Sequence, residues 1–153
     1  MGALSLARIA YRIYHSCKYT GRGIVAQLIK NINRRIYCCD IAYQVDIPSS
    51  TKLPHQGMGV VMHPKTVIGE NCTIYQHTTF GAVHGENSID GAPTLGNNVM
   101  VGVGASILGA IHIGNNVSIG AHAVVIHDVP DNAVVVGIPA VIIKYKKTEE
   151  SEE

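Results

Sequence analysis

Residues 95–125 read LGNNVMVGVGASILGAIHIGNNVSIGAHAVV, and an aliphatic side chain returns at every sixth position of this stretch. A period of six fits neither the 3.6-residue repeat of an α-helix nor the two-residue alternation of a strand. It is the pattern of a hexapeptide β-helix, in which three six-residue sides close one triangular coil. The repeating residues are Leu95, Val101, Ile107, Ile113, Ile119 and Val125.

The same period runs earlier in the chain and predicts the core. It is carried there by Met62, Ile68, Ile74 and Phe80. A second small or apolar residue stands two positions before most of the repeating residues, so each side has two inward positions. These second positions are Cys72, Thr78, Val99, Ala105, Ile111, Val117 and Ala123.

The six-residue period is interrupted once, between Phe80 and Leu95, which are fifteen positions apart instead of six. Roughly nine residues of the segment 81–94 are therefore predicted to leave the coil as a loop. Insertions in solenoids project from one face and commonly build the binding site. A tolerated surface insertion without a function is the alternative.

The chain divides into three predicted regions. Residues 1–42 carry apolar residues at helical spacing on both sides of a Gly21-Arg22-Gly23 break, which predicts a helical hairpin. Residues 43–145 form the β-helix, with an irregular first coil from Asp46 to Pro64 and repeats to about Val136. Residues 146–153 form an acidic, flexible tail.

Composition agrees with one compact solenoid of 153 residues. The chain is 46% hydrophobic and 15% charged with a net charge of +1, which argues against a nucleic-acid surface. Its four cysteines lack the paired spacing of a zinc site, and we expect a reducing cytoplasm. No segment has the ~18 apolar residues of a membrane span, and no secretory signal is expected.

Three stretches resemble a known family. They are LPHQGMGVVMHP at 53–64, IGENCTI at 68–74 and GIPA at 137–140, and they resemble the serine acetyltransferase-like branch of the hexapeptide acyltransferases over about residues 40–145. The resemblance implies a left-handed β-helix that assembles as a homotrimer, with active sites between subunits. It also implies acetyl-CoA as donor, no metal, and His55 as the catalytic histidine.

The chemistry asked of His55 can be argued independently. Acetyl transfer from a thioester to an alcohol needs the hydroxyl proton removed, and an imidazole titrates near the working pH. Backbone N–H groups around Gly81 can face the developing oxyanion. A surface histidine after a proline turn is the alternative for His55, and His63 and His84 are candidates for substrate contacts.

The resemblance also assigns the cofactor contacts. It places the pantetheine entry at Gly81, Ala82 and Val83, and it places the adenine end at Gly137, Ile138 and Pro139. Two residues eighteen positions apart, Val103 and Ala121, match the cofactor arm, and Lys144 offers charge for the phosphates; a solvated basic end is the alternative for Lys144.

A carboxylate usually orients such a histidine, and the resemblance points to Asp46. The interval from Asp46 to His55 is one six-residue side shorter than in the family, which moves Asp46 to another face of the triangle. Asp46 is therefore a weak candidate, and a backbone carbonyl is the alternative.

The acceptor is where the chain departs from true serine acetyltransferases. Those enzymes carry an aspartate before the catalytic histidine and an Arg-His pair in the loop, where this chain has Pro54 and Gly91-Ala92. Burying an unpaired ammonium or carboxylate costs several kcal/mol. We therefore expect a neutral hydroxyl acceptor, such as a saccharide intermediate of surface polysaccharide synthesis.

Three alternatives to this function are considered. Serine O-acetylation in cysteine biosynthesis would require His84, Asp90 or the hairpin to supply the missing charge recognition. A non-catalytic trimeric scaffold is a second alternative. A γ-class carbonic anhydrase, which shares the β-helix, is the third, and it would need three zinc-binding histidines that converge at a subunit interface.

Overall fold

The structure is a computed structural model that describes residues 31–32, 34–36, 38–42, 44–83 and 91–147. The predicted hairpin up to residue 30, the loop residues His84 and Asp90, and the predicted tail from residue 148 lie outside the described residues. Residues 31, 32 and 34–36 are helical.

The described chain is built from short strands and one 3₁₀ turn, Pro54–Gly57. The strands are β1 (Asp40–Ile41), β2 (Val61–Met62), β3 (Thr73–Ile74), β4 (Thr79–Gly81), β5 (Thr94–Leu95), β6 (Met100–Val101), β7 (Ser106–Leu108), β8 (His112–Ile113), β9 (Ser118–Ile119), β10 (Val124–Val125), β11 (Ala133–Val136) and β12 (Val141–Tyr145).

These strands form three sheets, which are the three faces of a triangular solenoid. Face A has the order β1-β2-β4-β7-β10, face B has the order β12-β11-β9-β6-β3, and face C pairs β5 with β8. Paired strands are parallel except for β11 and β12. The chain thus visits the three faces in turn, and each coil stacks on the previous one.

The strand register confirms the hexapeptide arithmetic. Met62 lies opposite Phe80, and Met100 lies opposite Ser118, so a regular coil has eighteen residues. Thr73 lies opposite Met100, which is twenty-seven residues on, so nine residues beyond one coil leave the solenoid between β4 and β5. This parallel solenoid with a six-residue period confirms the predicted β-helix class, and the hexapeptide repeat is that of a left-handed β-helix.

The core is the predicted one. Each of the ten repeating aliphatic or aromatic residues is at most 5% exposed, with Phe80 the largest fully buried side chain. The second inward positions are also buried, except that Ile111 is only partly buried. Thr78 satisfies its buried hydroxyl by donating to the Tyr75 carbonyl at 3.1 Å.

The first coil begins earlier than the Asp46 start expected from the prolines. β1 at Asp40–Ile41 already pairs with β2, inside the segment assigned to the helical hairpin. Cys38, just before β1, has a left-handed backbone with φ of 51°, which is incompatible with helix continuation. The apolar spacing of residues 24–39 therefore does not describe one helix to its end.

The last coil differs as well. Ile113 bridges to Val129, sixteen residues on, so this coil is two residues short. β12 then turns back antiparallel to β11 instead of starting another coil. β12 lies beyond the last six-residue repeat, and the repeat pattern gave no signal for this reversal.

Within the part of the chain that the structure describes, we find no helix with both the length and the apolar character needed to cross a bilayer.

Candidate active site

The candidate residues are best located by the three corners of the triangle. The His55 corner joins face B to face A, the loop corner joins face A to face C, and the asparagine corner joins face C to face B. The His55 corner comprises residues 53–60, 75–78, 102–105, 120–123 and 137–140. The loop corner comprises residues 63–66, 81–83, 91–93, 109–111 and 126–128. The asparagine corner comprises residues 69–72, 96–98, 114–116 and 130–132.

His55 lies on a small insertion in the first coil. Asp40 pairs with Val61 and Lys52 pairs with Thr73, both twenty-one residues apart, so three extra residues lie between Lys52 and Val61. They are absorbed by the 3₁₀ turn Pro54–Gly57. The proline fixes the start of this turn, because its ring sets φ near −65°.

The backbone of this turn is strained. His55, Gln56 and Gly57 all have left-handed φ, at 52°, 63° and 70°. For a non-glycine residue this region costs about 1–2 kcal/mol. Hydrogen bonds from Met58 N–H to the His55 carbonyl at 3.2 Å and from Val60 N–H to the Gly57 carbonyl at 3.0 Å close the turn. Such strain concentrates at functional sites.

The turn displays the His55 side chain to solvent. His55 is exposed, and no hydrogen bond to its imidazole is present within the described residues. Both ring nitrogens are thus accessible to a reacting molecule, which a general base requires. A general-base role for His55 stays a prediction.

A line of predicted cofactor residues continues down the same corner. His122 N–H donates to the Val103 carbonyl at 2.8 Å, which stacks Ala121 directly beyond Val103. Val124 N–H donates to the Gly137 carbonyl at 3.0 Å, which brings the Gly137–Pro139 turn to this corner as well. Ala121 and Ile138 are exposed. The structure therefore groups His55 with Val103, Ala121 and Gly137–Pro139.

The loop corner holds the remaining cofactor candidates. Gly81 ends β4, and its carbonyl accepts from Gly109 N–H at 2.9 Å. Ala82 and Val83 follow it, with Val83 exposed. His63 lies one coil before them, because its N–H donates to the Phe80 carbonyl at 2.9 Å. Its Nδ1 accepts from Lys65 N–H at 3.2 Å, so only Nε2 is left for a ligand.

These two groups of candidates stand at opposite ends of face A. One six-residue side spans about 20 Å at the rise of an extended strand. The reach of a side chain is far shorter than this. A site that uses both groups must therefore extend along face A or take its second group from another subunit.

Asp46 belongs to neither corner. It is exposed and lines an open groove of about 450 Å³ with Gln44, Pro48 and residues 64–68, at the edge of face C. His55 is not among the groove residues. This location agrees with the shortened interval to His55, which shifts Asp46 by one face.

The terminal lysines have different surroundings. Lys144 is exposed on β12, opposite Val134, where its ammonium is accessible to an anionic ligand. Lys146 donates through Nζ to Asn116 Oδ1 at 3.2 Å, and burial lowers the pKa of its ammonium. Of the two, Lys144 is better placed to bind phosphates.

The buried cysteines do not offer a nucleophile. Burial is the largest cause that raises the pKa of the Cys39 and Cys72 thiols, so both stay protonated near neutral pH. The Cys72 thiol donates to the Gly96 carbonyl at 3.3 Å. In the described ranges, no three His, Cys, Asp or Glu side chains are grouped so as to hold a metal ion.

Sequence reasoning missed two neighbours of the His55 turn. The His77 ring packs on the Cα of Gly59, and the Gln76 amide oxygen is buried without a hydrogen-bond partner within the described chain. The sequence offered one signal, a histidine at a corner position of the repeat, where glycine or asparagine is more usual. In the structure His77 has a left-handed backbone with φ of 60°.

Known proteins resemble this chain in both sequence and architecture. The family "Bacterial transferase hexapeptide (six repeats)" matches residues 92–127. A serine acetyltransferase of Synechococcus elongatus is 38% identical over 137 residues, which is 90% of this chain and 55% of that protein. The chain is thus similar in sequence to serine acetyltransferases, and its residues 92–127 carry the hexapeptide repeat.

Solved structures show the same similarity. The serine acetyltransferase of Neisseria gonorrhoeae (CysE) in complex with serine is 37% identical with a TM-score of 0.80, over 88% of this chain and 54% of that one. The Brucella abortus serine acetyltransferase in complex with coenzyme A is 32% identical with a TM-score of 0.84, over 92% and 56%. This hexapeptide-repeat chain thus spans just over half the length of these relatives.

Proposed function

We propose that this hexapeptide-repeat protein is an acetyl-CoA-dependent O-acetyltransferase, with serine as its first candidate acceptor. The observation that carries the proposal is the exposed His55 on its strained turn, at the head of the corner that also holds Val103, Ala121 and Gly137–Pro139. The relatives supply the substrate class, because they are serine acetyltransferases and include complexes with coenzyme A and with serine.

The residues present fit this chemistry. The imidazole of His55 accepts the proton of the acceptor hydroxyl as its oxygen attacks the thioester carbonyl, and it returns a proton to the departing sulfur. Backbone N–H groups beside Gly81 stabilise the oxyanion, because no side chain shields the glycine backbone. Lys144 is exposed to pair with a phosphate group.

Free thiols support a reducing compartment. Among the described residues Cys38, Cys39 and Cys72 form no disulfide, and a cytoplasmic location follows as part of the proposal. The helical hairpin up to residue 30 and the acidic tail from residue 148 also stay predictions.

The separation of the two candidate corners supports a site between subunits. In a cyclic homotrimer, every subunit presents its His55 corner to one neighbour and its loop corner to the other. The His55 corner of one subunit can then meet the loop corner of the next, which holds the oxyanion and pantetheine candidates. Within one chain these two corners stand about 20 Å apart. We propose this assembly, and sedimentation should show a trimer at micromolar concentration.

Co-expression of two inactive variants tests the shared site. His55→Asn removes the base, and Gly81→Val blocks the other corner; its Cβ would lie 3.1 Å from the movable Leu108 side chain and 3.8 Å from Thr79. We expect each variant alone to be inactive and random mixed trimers to recover about a quarter of the parent rate, because that fraction of interfaces joins two intact halves. No recovery from demonstrated mixed trimers, or a monodisperse monomer, would contradict the shared site.

The acceptor is the point on which sequence and comparisons differ. The relatives favour serine over the saccharide expected from Pro54, Gly91 and Ala92. A neutral hydroxyl acceptor is kept as the second candidate, because Pro54 begins the turn, Gly91 is half-buried and Ala92 is buried, and none of the three carries a charge. If serine is the acceptor, its ammonium and carboxylate must be bound by charged groups at positions other than these three.

Coenzyme A release with different acceptors separates the candidates. We expect L-serine to raise the release rate at least about tenfold above water, equivalent to ~1.4 kcal/mol of transition-state binding. L-alanine, which lacks only the hydroxyl, should give the water rate. Saturable stimulation by a neutral sugar with no response to serine would reverse the assignment, and no response to any alcohol would favour the scaffold.

A further inference from the structure

The ring of His77 covers the backbone that leaves the His55 turn. A Cβ on Gly59 would lie 2.9 Å from Cε1 of His77 and still closer to Nδ1, so the ring rests directly on this glycine. His77 N–H donates to the Met58 carbonyl at 2.8 Å. Met58 N–H in turn donates to the His55 carbonyl. Two backbone hydrogen bonds thus connect His77 to His55 through Met58.

The same arrangement recurs further down this corner. A Cβ on Gly104 would lie 2.6 Å from Cε1 of His122, and His122 N–H donates to the Val103 carbonyl at 2.8 Å. Both glycines have φ of 67°, and His77 and His122 have φ of 60° and 56°. A histidine ring on a left-handed glycine is therefore a stacking unit that this corner uses twice.

Only the His77 unit adjoins the turn with the candidate base. Gly59 follows the three left-handed residues His55, Gln56 and Gly57 after a single residue, whereas Gly104 lies in a coil without an insertion. A turn in this backbone region persists only when its surroundings hold it. The ring on Gly59 and the hydrogen bond to Met58 hold the end at which the turn rejoins β2.

We infer that His77 is a positioning residue that fixes the His55 turn through Gly59 and Met58. This inference rests on the proposed acetyl transfer for its effect on rate, but not for its effect on the backbone. The His77 ring serves as a packing element, and the proton transfer is left to His55. His122 provides the same packing on Gly104 without a base to position.

The matched pair of variants His77→Asn and His122→Asn tests this role. Asparagine tolerates the left-handed backbone of both sites, so each variant removes the ring and keeps the corner. Hydrogen exchange of the peptide covering residues 53–61 reports the turn without any acceptor. We expect exchange about tenfold faster in His77→Asn, and parent exchange there in His122→Asn.

Kinetics with acetyl-CoA and L-serine give the second readout. We expect His77→Asn to lower kcat about tenfold with the KM for acetyl-CoA unchanged within about twofold, and His122→Asn to keep the parent kcat. Thermal midpoints of the two variants should fall by similar amounts, because both lose one ring contact. Gly59→Ala should lower kcat as His77→Asn does. Gly104→Ala, at a glycine with the same φ of 67° as Gly59, should keep the parent kcat as His122→Asn does.

The outcomes separate this inference from the proposed function. Equal exchange at residues 53–61 in both asparagine variants, or equal kcat, would overturn the positioning role of His77. If the parent itself transfers no acetyl group to any acceptor, the proposed function fails, and the exchange measurement still decides whether His77 fixes the turn.

Discussion

Substitution of His55 by asparagine should lower acetyl transfer by about 10²–10⁴-fold, the usual contribution of a general base. Asparagine tests the base more specifically than alanine does, because residue 55 has φ of 52° and asparagine accepts this left-handed backbone. His55→Ala should lose at least as much. The side chain is exposed and lies outside the core, so His55→Asn should change the free energy of unfolding by no more than about 0.5 kcal/mol.

Two measurements make the His55 test specific. Equilibrium binding of acetyl-CoA should be retained, because the base contacts the reacting hydroxyl and not the cofactor arm. His112→Ala, which removes an exposed histidine of β8 on face C, outside both candidate corners, should keep the parent rate. A near-normal rate in His55→Asn would move the base to another histidine, and His63→Asn would be the next variant to measure.

The repeat region was predictable because its pattern has one physical solution. Side chains face inward at every sixth position from Met62 to Phe80 and again from Leu95 to Val125, and a triangular coil buries all of them. The nine-residue excess between Thr73 and Met100 followed from the same count. Strand reversal at β12 was not predictable, since β12 lies beyond the last six-residue repeat and all five of its residues are exposed.

The site was only partly predictable. The resemblance selected His55, but the strain of its turn depends on three extra residues whose placement emerges only from the register of Lys52 with Thr73. The division of the cofactor candidates between two corners likewise depends on which face each strand joins. The resemblance assigns both Gly81 and Val103 to the cofactor, yet they stand at opposite ends of face A.

The acceptor shows where local chemistry and overall similarity give different answers. Pro54, Gly91 and Ala92 remove the charges expected at three positions, and this argument favoured a neutral sugar. The relatives retain 38% identity over most of the chain and are serine acetyltransferases. Charge recognition can be supplied by residues elsewhere, so the loss of particular charged positions does not by itself exclude serine as the acceptor.

Replacement of Phe80 by alanine should have the largest effect on stability. Phe80 is fully buried in β4 between Met62 of the preceding coil and Ile107 of the next. Removal of a buried aromatic ring costs about 3–5 kcal/mol, because the transfer energy is lost and a cavity remains. Total stabilities are about 5–15 kcal/mol, so the variant should be close to unfolding at physiological temperature.

Urea unfolding at one fixed protein concentration measures this effect, since assembly makes stability concentration-dependent. Phe80→Leu keeps an apolar side chain and should cost less than about 1.5 kcal/mol. Tyr145→Ala removes an aromatic ring that is 59% exposed, and it should stay within about 0.5 kcal/mol of the parent. A loss below about 1 kcal/mol in Phe80→Ala would mean that neighbouring coils close the cavity. The solenoid interior would then be more compliant than the tight stacking of its coils implies.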